Sequence, residues 1–334
     1  MDEPAGDVQR DAPDAPSVDA VVTWVDGADP AHRAKLEAYL ASIGRTPPAA
    51  RAARFHDAGE IDWCLASIAR HAPWLGRVFI VTDAQRPPVV ARLAGTPLDG
   101  RVHLVDHRAL FAGFERHLPT FNSRAIISLL WRIEGLAERF VYFNDDFSLL
   151  RDVHERDFFR DGKVVLRGRW RPQSHRRWGR RLLRLLRGDR RDRAGNHEAQ
   201  ELSARLAGFA DRYLRTHHNP YPFRRSTLAA FFDAHPGLLE DNLGHRLRSA
   251  EQFKAEVLAA HLEIAAGRAA FDDTLHTVQL KPRQQSPARM RAKMAQADRD
   301  PHAAFACVQS LELASPQMQS EIVAWLRNHI GPPP

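Results

Sequence analysis

The sequence predicts an α/β fold: a largely parallel sheet with flanking helices, followed by a mainly helical C-terminal part. Three observations carry this. Apolar, β-branched runs of strand length begin at residues 18, 77, 101 and 139. Amphipathic patterns with helical spacing separate them, and each run stops at an aspartate where a turn begins.

The first run, VDAVVTWV at 18–25, stops at Asp26-Gly27. A helix is expected next, with Asp29 as N-cap, Pro30 at its first position, Leu36, Leu40 and Ile43 on one face, and Gly44 beyond its end. A second helical pattern, EIDWCLASIARH, carries Ile61, Leu65 and Ile68 at helical spacing and leads into the strand RVFIVTD, which ends at Asp83. The strand RVHLVD ends at Asp106, and after the loop LPTFNS a helix is expected through Ile126, Leu130 and Ile133, stopping near Gly135. The strand FVYFNDD then ends at Asn144, Asp145 and Asp146. Together these elements make a Rossmann-like core over residues 18–165.

Residues 166–200 read as an arginine-rich insertion, with Trp170, Trp178 and a patch at Leu182, Leu183, Leu185 and Leu186 among the charges. Such a segment can lie on an anionic membrane surface, hold a polyanion, or form a solvated loop. Residues 201–330 read as mainly helical and as completing the site. Within them KPRQQSPARMRAKM, after residue 281, reads as a basic linker ahead of a short amphipathic helix near QSEIVAWLRNHI.

At 334 residues the chain is long enough for one large domain with insertions or for two smaller ones. A formal net charge of +7 favours an anionic partner without naming it. Cys64 and Cys307 are the two cysteines and both lie in apolar patterns, which argues against a disulfide framework or a cysteine-based zinc site. The first 17 residues are acidic and rich in Pro and Ala, so they are expected to be disordered and not secretory. No apolar run has transmembrane length. The expected location is cytoplasmic, with residues 169–193 able to meet the inner face of the plasma membrane.

Carboxyl ends of parallel strands are where open α/β sheets bind ligands, so Asp26, Asp83, Asp106 and the pair Asp145–Asp146 are expected along one edge. Aspartate is also common where strands become turns, and it often caps the next helix. One cap needs one carboxylate, so the Asn144-Asp145-Asp146 cluster asks for more. Adjacent carboxylates beside an amide are hard oxygen ligands suited to Mg²⁺ or Mn²⁺, which in turn neutralise substrate phosphates. The adjacent His217 and His218 project differently, so at most one shares that site. No nucleophile elbow or Walker loop is present, which leaves phosphate charge to arginines and a metal.

The motifs resemble, in order, those of the Stealth family, bacterial capsular and exopolysaccharide phosphotransferases related to the catalytic part of the animal N-acetylglucosamine-1-phosphotransferase. TWVDG at 23–27 resembles the first conserved region. The second is similar through Arg54, Phe55, Asp57 and Glu60, then Ser67, Ile68, Ala72, Pro73 and Trp74, then IVTD at 80–83 with Gln85 and Pro87, LPTFNS at 118–123, Arg132, Ile133, Gly135 and Leu136, and NDD at 144–146. A third region is similar more loosely at His218, Pro220, Arg225, Ser226 and 245–249. The fourth matches FACVQS at 305–310. Departures stand at Ile127 and Trp131, where the family commonly has Glu and His, at His56 and Asp62 in place of arginines, and at Gln309-Ser310 in place of Asn-Asp.

The resemblance implies a sugar-phosphate transferase that moves a sugar-1-phosphate from a nucleotide-diphosphate sugar, a UDP-sugar by expectation, to a hydroxyl of a polysaccharide or lipid-linked glycan. Nucleic acid is not an expected partner. It further implies that Trp24, Asp26 and Gly27 hold the nucleotide, Asp145 and Asp146 hold Mg²⁺ or Mn²⁺, and Arg54, Arg246 and Arg248 meet phosphate oxygens. His218 is then the base for the acceptor hydroxyl, while Asn122, Ser123 and Asn144 bind substrate. Two other readings stay open: a metal-dependent glycosyltransferase using the same donor, and a non-catalytic homologue that binds glycan or polyanion.

Overall fold

The structure is a computed structural model that describes residues 18–44, 46–47, 50, 58–174 and 195–334. The expected disorder of residues 1–17, the candidate Arg54 with its neighbours Phe55 to Asp57, and residues 175–194 of the arginine-rich segment lie outside the described residues.

A five-stranded sheet forms the centre. Its strands are β1 (Val18–Thr23), β2 (Val78–Thr82), β3 (Val102–Asp106), β4 (Arg139–Asn144) and, after β5 to β9 given below, β10 (Tyr221–Arg224), in the order β10-β4-β1-β2-β3. β1 to β4 are mutually parallel, and β10 alone runs antiparallel, placing Tyr221 opposite Tyr142. β1, β2 and most of β4 are buried, which is why they read as continuous apolar runs rather than alternating ones. Pro222 is tolerated because β10 lies at the sheet edge, where one row of N–H groups has no ladder partner.

The parallel arrangement sets the carboxyl ends of β4, β1, β2 and β3 side by side, so Asp146, Asp26, Asp83 and Asp106 lie along one edge in that order. Two of these acids have local structural partners. Asp83 pairs with Lys35 at 2.8 Å and His32 at 2.9 Å, and the Asp106 side chain accepts from the Arg108 N–H as N-cap of helix His107–Leu110. Asp29 caps helix Pro30–Ile43 through the His32 N–H, and Gly44 ends that helix in the left-handed region at φ 63°.

Smaller sheets complete the fold. β5 (Phe147–Leu149) leaves β4 through the two-residue turn Asp145–Asp146 and pairs with β13 (Ala303–Val308), which pairs on its other side with β12 (His276–Leu280). β6 (Phe159–Arg160), β7 (Lys163–Leu166) and β11 (Ala269–Phe271) form a three-stranded sheet. β8 (Gly168–Pro172) and β9 (Arg212–Thr216) form a two-stranded ribbon.

The core has two main parts. The larger surrounds the central sheet and includes Phe140, Phe143, Leu65 and Phe305. The second is built by helices Pro287–Arg299 and Pro316–Ile330 against β12 and β13, with Leu280, Met290, Met294, Ile322 and Trp325. The basic segment read as a linker after residue 281 is therefore largely a helix, because Ser286 caps it, Pro287 opens it, and Met290, Met294 and Ala297 fall on one buried face. The helix expected through Ile133 is shorter, Ser123–Ile127 followed by a single 3₁₀ turn Leu130–Arg132. β8 starts inside the arginine-rich segment, and β10 joins the core sheet from beyond it. Among the described residues, no helix is long and apolar enough to cross a membrane.

Candidate active site

The site begins where β4 ends. Tyr142, fully buried in that strand, donates its hydroxyl hydrogen to Asn144 Oδ1 at 2.6 Å and lies 2.9 Å from Thr23 Oγ1. This contact fixes the Asn144 amide, and it requires Tyr142 to stay protonated. Burial pushes the Tyr142 hydroxyl well above its usual pKa.

The chain then turns at Asp145–Asp146 into β5. Because β5 pairs with β13, Cys307 comes opposite Phe147, and the Val308 N–H donates to the Asp146 carbonyl at 3.0 Å. The register thus delivers Cys307 Sγ to within 3.5 Å of Asp146 Oδ2. On the other side, β10 follows His218 by three residues, and its pairing with β4 brings that histidine in. His218 stands edge-on to Phe147, with ring centroids 4.8 Å apart, and its Nε2 lies 3.1 Å from Gln309 Nε2.

One ligand atom from each of Asp146, His218 and Cys307 lies within 4.8 Å of the others. Asp146 Oδ1 is buried and takes no hydrogen bond among the described residues. A carboxylate oxygen in that condition is costly unless a cation faces it. Burial raises the Asp146 carboxyl to about 6, opposed by the Cys307 hydrogen bond and by Arg248. Burial also raises the Cys307 thiol well above its usual range, and the neighbouring Asp146 adds to this. Burial first, then Lys254, Lys281 and Arg248, lower His218 to about 3, so its ring is neutral near pH 7. The carboxylate, imidazole and thiol are together a donor set that fits a divalent cation.

These groups adjoin a cleft of about 950 Å³. Eight Arg and Lys side chains line it against two acids, Glu256 and Asp273, so the cleft is built for an anion. Ser123, Asn144, His218 and Arg248 of the expected site residues line it, and Arg248 Nη2 donates to Ser123 Oγ at 2.6 Å.

Other expected residues stand apart from this cleft. Trp24 is 4% exposed and packs in the main core, which accounts for it without a ligand. Asn122 is buried with both amide atoms in use: Nδ2 donates to the His245 carbonyl and Gln252 Oε1, and Oδ1 accepts from the Arg124 N–H. Arg246 donates to the Arg116 carbonyl, and its guanidinium lies 5.5 Å from the Tyr39 ring centre. Asp26 Oδ1 accepts from the Ala28 N–H, and Gln85 clamps the Asp26 backbone by two bonds of 2.9 Å each. That clamp explains physically why the motif at 80–87 carries a glutamine, and it places Asp26 and Gly27 in a fixed turn at the sheet edge.

Cys307, Lys254, Lys281, Arg169 and Arg215 are site or cleft residues that sequence reasoning did not single out. The FACV run around Cys307 is a strand signal, but only strand pairing reveals that its thiol meets Asp146.

Residues 16–44 match Stealth protein CR1, conserved region 1, and residues 54–166 match Stealth protein CR2, conserved region 2. The chain is 43% identical over 142 residues to an exopolysaccharide phosphotransferase of Streptomyces coelicolor, covering 42% of this chain and 23% of that protein. It is 32% identical over 160 residues to a capsular polysaccharide phosphotransferase of Actinobacillus pleuropneumoniae, covering 47% of this chain and 42% of that one. The chain therefore spans less than half the length of these relatives. Among solved structures, mouse xyloside xylosyltransferase 1 superimposes with a TM-score of 0.40 at 11% identity, over 87% of this chain and 97% of that chain. The chain thus carries matches to two Stealth conserved regions, the first followed by the second along the sequence.

Proposed function

We propose that this chain transfers a sugar-1-phosphate from a nucleotide-diphosphate sugar to a hydroxyl of a polysaccharide or lipid-linked glycan. The observation that supports it most is the cationic cleft at the carboxyl edge of the sheet, with the orphaned carboxylate oxygen of Asp146 beside it. Its relatives, named as capsular and exopolysaccharide phosphotransferases, point to the same chemistry.

In this reading Asp146 and Asp145 hold Mg²⁺ or Mn²⁺, with Cys307 and His218 close by. The ion, when bound, offsets negative charge on the diphosphate. Arg248, Lys254 and Lys281 meet phosphate oxygens from the His218 side of the cleft. The acceptor oxygen attacks the phosphorus next to the sugar, the bond to the nucleotide's own phosphate breaks, and a nucleoside monophosphate leaves. His218 takes the hydroxyl proton. Its ring is neutral and can accept, and the same cations that depress its basicity are those an anionic donor would offset. Asp26 and Gly27 hold the nucleotide end at the β1 turn, Asn144 and Ser123 contact substrate, and Arg54 is assigned to phosphate by resemblance alone.

The nucleotide product tests this. Purified chain with Mn²⁺, a panel of UDP-sugars and a glycan acceptor is expected to release UMP. Release of UDP instead would assign the chain to glycosyl transfer and overturn the proposal.

A further inference from the structure

The cleft carries a second group of cations that the transfer reaction, as described, does not use. On the β8–β9 ribbon Arg169 lies directly opposite Arg215, and Arg171 follows two residues along on the same face. All three are exposed and line the cleft. The other face of the ribbon is apolar: Trp170 and Leu214 pack on the main core, which fixes the arginine face toward the cleft. Like charges directly opposite each other on a ribbon destabilise it unless an anion sits between them. Among the described residues none of the three arginines has an ion pair or side-chain hydrogen bond.

The ribbon is also built tight at this point. A Cβ at Gly168 would meet the Arg215 carbonyl oxygen at 2.6 Å, so glycine lets the two strands close there. Asp273 is the nearby acid: it accepts from the Gly168 N–H at 2.9 Å and lies 3.6 Å from His217 Nε2. One carboxylate set against three guanidinium groups leaves the ribbon strongly positive.

These cations come from the β8–β9 ribbon, whereas Arg248 and Lys254 lie between helices Pro236–Leu243 and Ala255–Ala265 and Lys281 follows β12. The charges acting on His218 are Lys254, Lys281 and Arg248, whereas those acting on His217 are Asp273, Arg169, Arg215 and Arg167. One cleft therefore has two cationic ends. A nucleotide-diphosphate sugar has its two phosphates joined, and the cations beside His218 with the divalent ion suffice for them. The second end calls for a separate phosphate-type anion, carried by the other substrate.

We infer that Arg169, Arg171 and Arg215 form an acceptor subsite for a phosphodiester, so that the preferred acceptor is a chain already bearing the linkage the enzyme makes. The inference rests on the proposed sugar-phosphate transfer. It follows the chemistry of that product, because each transfer leaves a singly charged diester one repeat back from the new acceptor hydroxyl. Guanidinium forks pair with two phosphate oxygens at once, and a neutral glycan offers nothing equivalent.

Binding without turnover tests it, using a short poly(glycerol phosphate) oligomer as the phosphodiester probe and a dextran oligomer as the neutral control. The Arg169→Ala/Arg215→Ala variant is expected to bind the phosphodiester oligomer at least tenfold more weakly, with binding of UDP changed less than twofold. Arg169→Lys/Arg215→Lys, which keeps charge but loses the forks, should recover part of the affinity. Unchanged binding of the oligomer overturns the inference, and so does an equal loss of UDP affinity, which would give the ribbon to the donor. If UDP is the reaction product, the transfer proposal fails on its own assay. If UMP is the product and the arginine variants bind the oligomer normally, only the subsite fails.

Discussion

His218 separates two roles that a single distance cannot. It lies close enough to Asp146 and Cys307 to join a ligand set, yet the proposal gives it the acceptor proton. His218→Ala is expected to lower turnover by about 10²- to 10⁴-fold, the usual worth of a general base, while Mn²⁺ binding measured by calorimetry stays within about twofold. A large loss of Mn²⁺ affinity would make it a ligand instead. The fate of single residues also shows what the sequence could tell. Asp145 and Asp146 stand out in the sequence because two carboxylates after a buried strand have no cheap local explanation, and the structure brings Asp146 beside His218 and Cys307. Trp24 and Asn122 sit in equally distinctive motifs, but one fills the core and the other caps a helix and clamps the 245–252 loop. Motif residues serve folding as well as chemistry, and only their partners tell which. Cys307 was opaque for the opposite reason, since its thiol acquires a role only through the register of β13 on β5.

Helix Ala255–Ala265 shows how an element is tied in by one polar group. His261, at 0% exposure, accepts from the Leu214 N–H at 2.9 Å through Nε2 and shares a 2.7 Å contact between Nδ1 and the Val257 carbonyl. The neutral ring with its hydrogen on Nδ1 satisfies both, and it anchors the helix to the ribbon that carries Arg215. Burial lowers His261 to about 4. The unfolded chain, with a histidine near 6.5, binds more protons between those values. This contribution to stability is therefore complete above about pH 6.5 and is lost as pH falls toward 4, by an amount on the order of 2–3 kcal/mol. Urea unfolding at pH 7 and pH 4.5 should show a smaller drop for His261→Gln, which has an amide oxygen to accept from Leu214 and no titration. Equal drops would remove His261 as the cause. Among elements, the parallel strands were legible from their apolar runs, and the aspartates at their ends located the edge. The helix Pro287–Arg299 was not, because four basic residues within it mask a stripe of only three buried side chains. β10 was hidden by its proline, which the edge position accommodates.

Over the whole molecule, two cores serve one cleft. β12, β13 and the residue after it supply Gln279, Cys307 and Gln309 to the site region, while Val278, Leu280, Ala306 and Val308 of the same strands pack in the C-terminal core. Ile322 is fully buried there, and Ile322→Ala is expected to cost about 2–5 kcal/mol. If the two cores unfold together, calorimetry will show a single transition shifted to lower temperature. Two resolved transitions would show that the cleft's walls melt independently. The α/β class and the strand order's acidic edge were readable in advance. The union of the two halves was not, because it depends on pairings between residues more than 150 positions apart, such as Leu149 with Phe305. The antiparallel seam between β4 and β10 has a further effect. The chain departs from the sheet after Asn144 and returns at Tyr221, so Asp146 and His218 flank the paired ends of adjacent strands although dozens of residues lie between them. Closing a loop costs only logarithmically more as it grows, about 0.6 kcal/mol per doubling. The long return from Asn144 to Tyr221 therefore costs little more than a short one would, so a carboxylate and an imidazole distant in sequence can share one seam.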